Sequence, residues 1–139
     1  MIILDILSII LVIVILGIII TYLISINKRL NQKIEQEKNR FILYKKKLSE
    51  LETKQNFNKN DFEVLNKLAR DFFKERFDLN YTLSYLEISE IFKKEGFDER
   101  VQFCNRMAEI LYAGDKIDEE EIKKLIHIFQ DIVEDYKYL

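Results

Sequence analysis

Proline and tryptophan do not occur in this chain, and glycine occurs only three times, as Gly17, Gly96 and Gly114. Proline and glycine are the residues that most often interrupt helices and form turns. Strand-like alternation of apolar and polar residues is almost absent as well. A chain with so few helix breakers is predicted to be all-α.

Cysteine and histidine occur once each, as Cys104 and His127. A single cysteine forms no intrachain disulfide, and a single histidine excludes every metal motif that needs two histidines. Cys104 falls on an apolar helical face, where we expect it to pack in the core. No nucleophile lies at a predictable spacing from His127, so we expect a buried or half-buried structural histidine.

The sequence contains no Gly-rich phosphate loop, no nucleophile elbow and no metalloprotease helix. The acidic turn at residues 114–121 superficially suggests the end of an EF-hand loop. The first three ligand positions would then be Ile110, Tyr112 and Gly114, which carry no carboxylate, so this calcium site is excluded. We expect no enzymatic activity, no cofactor and no bound metal.

The longest uncharged stretch is residues 6–27, and isoleucine, leucine and valine fill nearly all of residues 6–24. These twenty-two residues would reach roughly 33 Å as a helix, and the hydrocarbon core of a bilayer is about 30 Å thick. A cleaved signal peptide needs a basic N-terminal region, whereas the residues before this stretch include Asp5 and no lysine or arginine. We therefore predict that residues 1–26 are an uncleaved signal anchor that crosses the lipid bilayer.

Five positive charges follow the apolar stretch within about twenty residues. Lysine and arginine near the end of a membrane helix mark its cytoplasmic side. We expect a single-pass protein of the cell membrane with its N-terminus outside and its C-terminal part in the cytoplasm. The basic residues are Lys28, Arg29, Lys33, Lys38 and Arg40.

Charge is distributed unevenly along the rest of the chain. Residues 27–60 hold ten Lys/Arg and four Glu, whereas residues 61–139 hold twelve Lys/Arg and nineteen Asp/Glu. A basic segment followed by an acidic domain suits an anionic inner leaflet, which attracts the first and repels the second. Binding to phosphates needs a positive surface, so the acidic domain argues against a nucleic-acid partner.

Residues 27–53 form a polar neck that carries apolar residues at heptad spacing. One interpretation is a parallel coiled coil, which would make the protein a homo-oligomer. The other is a single amphipathic helix that packs its stripe on the C-terminal domain or lies on the lipid. In the membrane segment, Gly17, Thr21 and Ser25 recur every four residues, a spacing that favours close helix packing. The possible oligomer seam is Leu30, Ile34, Phe41, Tyr44, Leu48 and Leu51.

Residues 54–60 are polar and rich in asparagine, which predicts a linker. Residues 61–139 then contain four predicted helices, so we expect a small four-helix cytoplasmic bundle. The predicted N-caps are Asn60 with Glu63 as its capping-box partner, then Thr82, and Asp118 with Glu121 and an Ile117–Ile122 staple, while Asp98 is expected to start the third helix. The predicted helix ends are Phe77, Gly96 and Gly114, with the last helix running almost to the C-terminus.

Several sequence features of residues 61–133 resemble those of a known type of protein domain. Residues 82–88 (TLSYLEI) open a helix, Gly96 and an aromatic Phe103 follow, and residues 112–114 (YAG) precede an acid-rich helix. This pattern resembles a small helical cytoplasmic domain found in prokaryotic membrane proteins. Those proteins include transmembrane transglutaminase-like proteins and membrane proteins that accompany MoxR-type ATPases and von Willebrand factor A proteins.

The chain departs from that family at two positions. The family has proline after the threonine and then glutamate, where this chain has Leu83 and Tyr85. The shared features are caps and turns, so the resemblance transfers no catalytic residue. It implies an interaction module tethered to a membrane.

We expect a membrane-anchored adaptor whose cytoplasmic domain binds another protein. Tyrosine is enriched at protein interfaces, so Tyr81, Tyr85 and Tyr112 are the candidate contact residues. Each of them could instead lie in a helix core with its hydroxyl at the rim. The alternative function is a structural membrane scaffold that self-associates through its membrane helix and neck.

Overall fold

The computed structural model of the chain describes residues 1–114 and 118–136. All regular elements in these ranges are helical, which confirms the all-α prediction for the described residues. The helices are α1 (Ile2–Glu52), α2 (Lys59–Phe77), α3 (Tyr85–Glu95), α4 (Asp98–Ala113) and α5 (Glu119–Asp135).

The chain divides into two compact units, Met1–Arg40 and Phe41–Leu139. The N-terminal unit is the first part of α1, and all of its residues are exposed. Helix α1 is long and apolar enough to cross a membrane by length and composition, and none of its apolar window is buried.

Two hydroxyl groups in the N-terminal unit, those of Ser8 and Thr21, bond to the backbone of their own helix. Thr21 Oγ1 donates to the carbonyl oxygens of Gly17 at 3.1 Å and Ile18 at 2.8 Å. Ser8 Oγ donates to the carbonyl oxygen of Asp5 at 2.8 Å. These bonds satisfy the hydroxyl donors without water or a second helix, as an apolar environment requires.

The core of the C-terminal unit is built around phenylalanine rings from four helices. Phe103 of α4 stacks on Phe129 of α5 with ring centroids 5.1 Å apart. Phe72 of α2 meets Phe129 edge to face at 5.5 Å, and Phe73 meets Phe92 of α3 at 5.3 Å. Such offset and T-shaped pairs add about 0.5–1.5 kcal/mol each beyond their buried area.

The end of α1 is part of this core. Tyr44, Leu48 and Leu51 are buried among the core residues, and Tyr44 meets the Phe72 ring at 5.5 Å. Polar contacts reinforce the packing, because Gln130 Nε2 donates to Glu52 Oε2 at 3.0 Å. Four helices, α2–α5, follow α1 in the described part of the chain, and the last turns of α1 contribute to the same core.

Capping residues define the helix starts, and two differ from the predictions. The N-cap of α2 is Asn58 with Asp61, and that of α3 is Ser84 with Glu87, each as a complete capping box. Asn60 therefore lies inside α2, and the last two residues of the predicted linker belong to this helix. The predicted caps Asn60 and Thr82 were wrong because another capping residue lies two positions away in each case.

The helix ends agree with the sequence. Helix α2 ends at Phe77, and Gly96 and Gly114 follow α3 and α4 with φ of 80° and 64°. Glycine occupies this left-handed region without the steric penalty of a Cβ atom. The N-cap of α5 is Asp118 as predicted, although its side chain accepts from the backbone of Glu120. The predicted staple residue Ile117 lies outside the described residues.

Candidate interaction surface

The loop between α2 and α3 is held in place by Arg70 of α2. Its Nη1 donates to the carbonyl oxygens of Leu83 at 2.9 Å and Tyr81 at 3.2 Å. Within the loop, Asn80 Oδ1 accepts from the backbone N–H of Thr82 at 3.1 Å. A loop that bonds to a neighbouring helix loses less conformational entropy when a ligand binds to it.

Tyr85 is fully buried at the start of α3, directly after this loop. Its hydroxyl donates to Asn66 Oδ1 at 2.7 Å, and the guanidinium of Arg70 lies 4.7 Å from its ring centroid. Burial raises the pKa of Tyr85 well above its usual range, and the positive charge of Arg70 opposes that shift. This tyrosine fills the core and cannot touch a partner directly.

Tyr81 and Tyr112 are exposed, with 42% and 61% of their surfaces accessible. Tyr81 lies in the loop that Arg70 fixes, and Tyr112 lies near the end of α4. Lys74 Nζ lies 5.7 Å from the ring centroid of Tyr81. Two of the three candidate contact residues thus lie on the surface, and the third packs beneath it.

The possible seam residues divide between the two units. Leu30 and Ile34 of the N-terminal unit are 52% and 63% exposed. Phe41 is half-buried against the core of the C-terminal unit. Tyr44, Leu48 and Leu51 are buried in that core, which is the alternative role the sequence left open for the stripe.

The single cysteine and the single histidine have different surroundings. Cys104 is fully buried, as expected, and burial raises the pKa of its thiol to about 12. His127 is exposed and lies in a surface cleft with Lys45 and Asp131, so the expectation that it is buried or half-buried was wrong. It lies on the polar face of α5, and the apolar residues of this helix face the core.

Arg70 is the residue of this surface that sequence reasoning missed. Its acceptors lie 11 and 13 residues further along the chain, in a loop of irregular backbone. Periodicity and capping signals do not report on such contacts. No group of three or more His, Cys, Asp or Glu side chains among the described residues could hold a metal ion.

Comparisons of the chain with known protein families, curated proteins and solved structures find no match.

Proposed function

We propose that this chain is a single-pass membrane protein whose cytoplasmic helical domain binds another protein. The first support is the apolar part of α1, in which none of the apolar window is buried. A helix that is apolar all round needs either a protein core or a lipid environment. Each central Ile, Leu or Val favours membrane insertion by about 0.5 kcal/mol.

The orientation rests on the charges that follow the apolar stretch. Lys28, Arg29 and Lys33 follow residue 27 within six positions, and all three are exposed. The residues before the stretch carry Asp5 and no basic side chain. The positive-inside rule then assigns the C-terminal unit to the cytoplasm. The sequence resemblance to the cytoplasmic domains of transglutaminase-like membrane proteins agrees with this assignment.

The observation that carries the binding role is the exposure of Tyr81, in a loop fixed by Arg70, and of Tyr112, near the end of α4. Tyrosine is one of the residue types enriched at protein interfaces, and a fixed backbone lowers the entropy lost on binding. The partner surface would bury the two rings and place an acceptor group near Lys74, which lies over the Tyr81 ring.

Site-specific photo-crosslinking in native membranes tests this function. A benzophenone amino acid replaces Tyr112 in one variant, Tyr81 in a second and the exposed Asp131 in a third, which is the control. The proposal predicts that one and the same protein is crosslinked from positions 81 and 112 and not from position 131. Adducts that contain only a second copy of this chain would contradict it.

A scaffold that self-associates is the second candidate, and the exposure of Leu30 and Ile34 favours it. These apolar side chains lie on an otherwise polar segment of α1, at positions a coiled coil would bury. Replacing both with aspartate would abolish oligomers in detergent if the scaffold function holds. The same variant would leave crosslinking from position 112 unchanged if the adaptor function holds.

A further inference from the structure

The part of α1 that follows the apolar stretch carries basic and amide side chains and no acidic ones. Its cations are Lys28, Arg29 and Lys33, and residues 6–34 contain no aspartate or glutamate. We call residues 27–33 the basic collar. The collar belongs to the N-terminal unit, and all of its residues are exposed. Its amide side chains are those of Asn27, Asn31 and Gln32.

The cations of the basic collar have no partner in the part of the chain that the structure describes. No side-chain hydrogen bond or ion pair there involves Lys28, Arg29 or Lys33. In the C-terminal unit, by contrast, Lys45 Nζ lies 2.6 Å from a carboxylate oxygen of Glu134. Cations that lie close together on one helix repel one another, and a bound anion offsets that repulsion.

The place of the basic collar along α1 determines which anion it meets if the apolar stretch crosses a bilayer. Lys33 lies six positions beyond residue 27, which is about 9 Å along a helix. The headgroup region extends roughly 5–7 Å beyond each side of the hydrocarbon core. Long side chains on a helix point back towards its N-terminus, which here is the direction of the apolar stretch. The collar cations can therefore reach the level of the lipid phosphates.

Two of the cations continue a helix face that enters the apolar stretch. Residues spaced four, three and four apart share one face of a helix, and here they are Tyr22, Ile26, Arg29 and Lys33. Tyr22 is 66% exposed and Ile26 is 37% exposed. An acyl chain can pack along Tyr22 and Ile26 while the phosphate of the same lipid meets the two cations. Tyrosine is also enriched at membrane interfaces.

Charge then selects the class of lipid. A zwitterionic headgroup carries an ammonium group next to its phosphate, and the collar cations repel that ammonium group. The headgroup of an anionic phospholipid carries the phosphate charge without it, and a guanidinium binds phosphate oxygens through two N–H donors. We propose that the basic collar selects anionic phospholipids, whose phosphate pairs with Arg29 and Lys33. This inference rests on the membrane anchor of the proposed function and adds the lipid class that surrounds it.

Quenching of tryptophan fluorescence by brominated lipids tests the selection. The chain contains no tryptophan, so Tyr22→Trp supplies a single reporter on the face of Arg29 and Lys33. The full chain is placed in phosphatidylcholine bilayers that contain either brominated phosphatidylglycerol or the same fraction of brominated phosphatidylcholine. The proposal predicts an association constant about tenfold or more higher for the phosphatidylglycerol, because each cation near an anionic surface contributes about a fivefold factor.

Single substitutions in the reporter chain identify the residues responsible. Arg29→Gln and Lys33→Gln should each lower the preference by about threefold to fivefold. Lys38→Gln is the matched control, because it removes one exposed positive charge from the same unit. Lys38 lies about 17 Å along the helix from residue 27, which exceeds the headgroup region by more than the Debye length of about 8 Å. An unchanged preference in Arg29→Gln and Lys33→Gln, or an equal loss in Lys38→Gln, would overturn the proposal.

The quenching also separates this inference from the proposed function. Equal quenching by the two brominated lipids would place residue 22 in the bilayer and overturn the lipid preference alone. Absence of quenching by either lipid would place residue 22 outside the bilayer, and this outcome would overturn the membrane anchor together with the lipid preference.

Discussion

The hydroxyl of Tyr85 donates a hydrogen bond of 2.7 Å to Oδ1 of Asn66, which lies 19 residues earlier in the chain. The same Oδ1 accepts from Nε of Arg70 at 3.3 Å. One amide oxygen of α2 thereby joins the buried start of α3 to the arginine that fixes the loop between them. The exposed position of Tyr81 depends on this small network.

Replacing Tyr85 with phenylalanine removes the first of these bonds and leaves the ring in place. We expect the free energy of unfolding to fall by about 1 kcal/mol, because Asn66 Oδ1 keeps its bond to Arg70. Urea unfolding of the full chain in detergent, followed by near-UV circular dichroism, measures the change. Tyr112→Phe is the control. Because Tyr112 is exposed, this substitution should lower the free energy of unfolding by less than about 0.5 kcal/mol.

Replacing Leu48 tests whether the last turns of α1 pack in the core of the C-terminal unit or form a coiled-coil seam. The side chain is fully buried in the C-terminal unit, so Leu48→Ala should lower the free energy of unfolding by about 2–5 kcal/mol. Ile34→Ala, at an exposed position, should change it by less than about 0.5 kcal/mol. Loss of oligomers by Leu48→Ala at unchanged stability would assign Leu48 to the seam instead.

The heptad spacing could not decide between these roles for Leu48. A coiled-coil seam repeats every 3.5 residues and a helix packed on a globular core every 3.6, and the two patterns scarcely separate over four heptads. The apolar composition of residues 6–24, by contrast, leaves little ambiguity about a helix there. Sequence therefore predicted that α1 is a helix, and only the packing identified what its last turns contact.

Helix boundaries were predictable where one signal stood alone. Gly96 and Gly114 have no competing breaker nearby, and both follow the helices they were expected to end. Asn58 and Asn60 are chemically identical caps with an acidic residue three positions later, so sequence does not rank them. The guanidinium of Arg100 packs against the rings of Phe77, Phe92 and Phe97. These rings come from three different parts of the chain, so no local sequence pattern predicts the contact.

The thiol of Cys104 provides a probe of unfolding. Burial raises its pKa to about 12, whereas an unfolded cysteine titrates near 8.5. At pH 8 iodoacetamide should therefore modify Cys104 only through the unfolded state, at a rate that rises with urea. Because only the unfolded state loses the proton above about pH 8.5, stability should also fall as the pH rises further. Rapid modification of the native protein would contradict the burial of this residue.

Asp61 links stability to acid pH. A hydrogen bond from Lys54, together with one from the backbone N–H of Asn58, holds the pKa of this buried carboxyl below its usual range. Its contribution to stability is complete above the unfolded value of about 3.9 and is lost as the pH falls through the lower folded value. The free energy of unfolding, measured from pH 6 to pH 2, should fall in this range. Asp61→Asn and Lys54→Met should each reduce that pH dependence, and an unchanged slope in both would contradict it.

Membrane anchoring by residues 1–26 underlies the proposed function, and alkaline carbonate extraction of membranes followed by intact mass spectrometry tests it most directly. The full chain should remain in the membrane pellet with the mass of the uncleaved sequence, while a variant that lacks residues 2–26 should appear in the supernatant. A shortened chain in the soluble fraction would identify a cleaved signal sequence. Release of the full-length chain by carbonate would likewise contradict the membrane anchor.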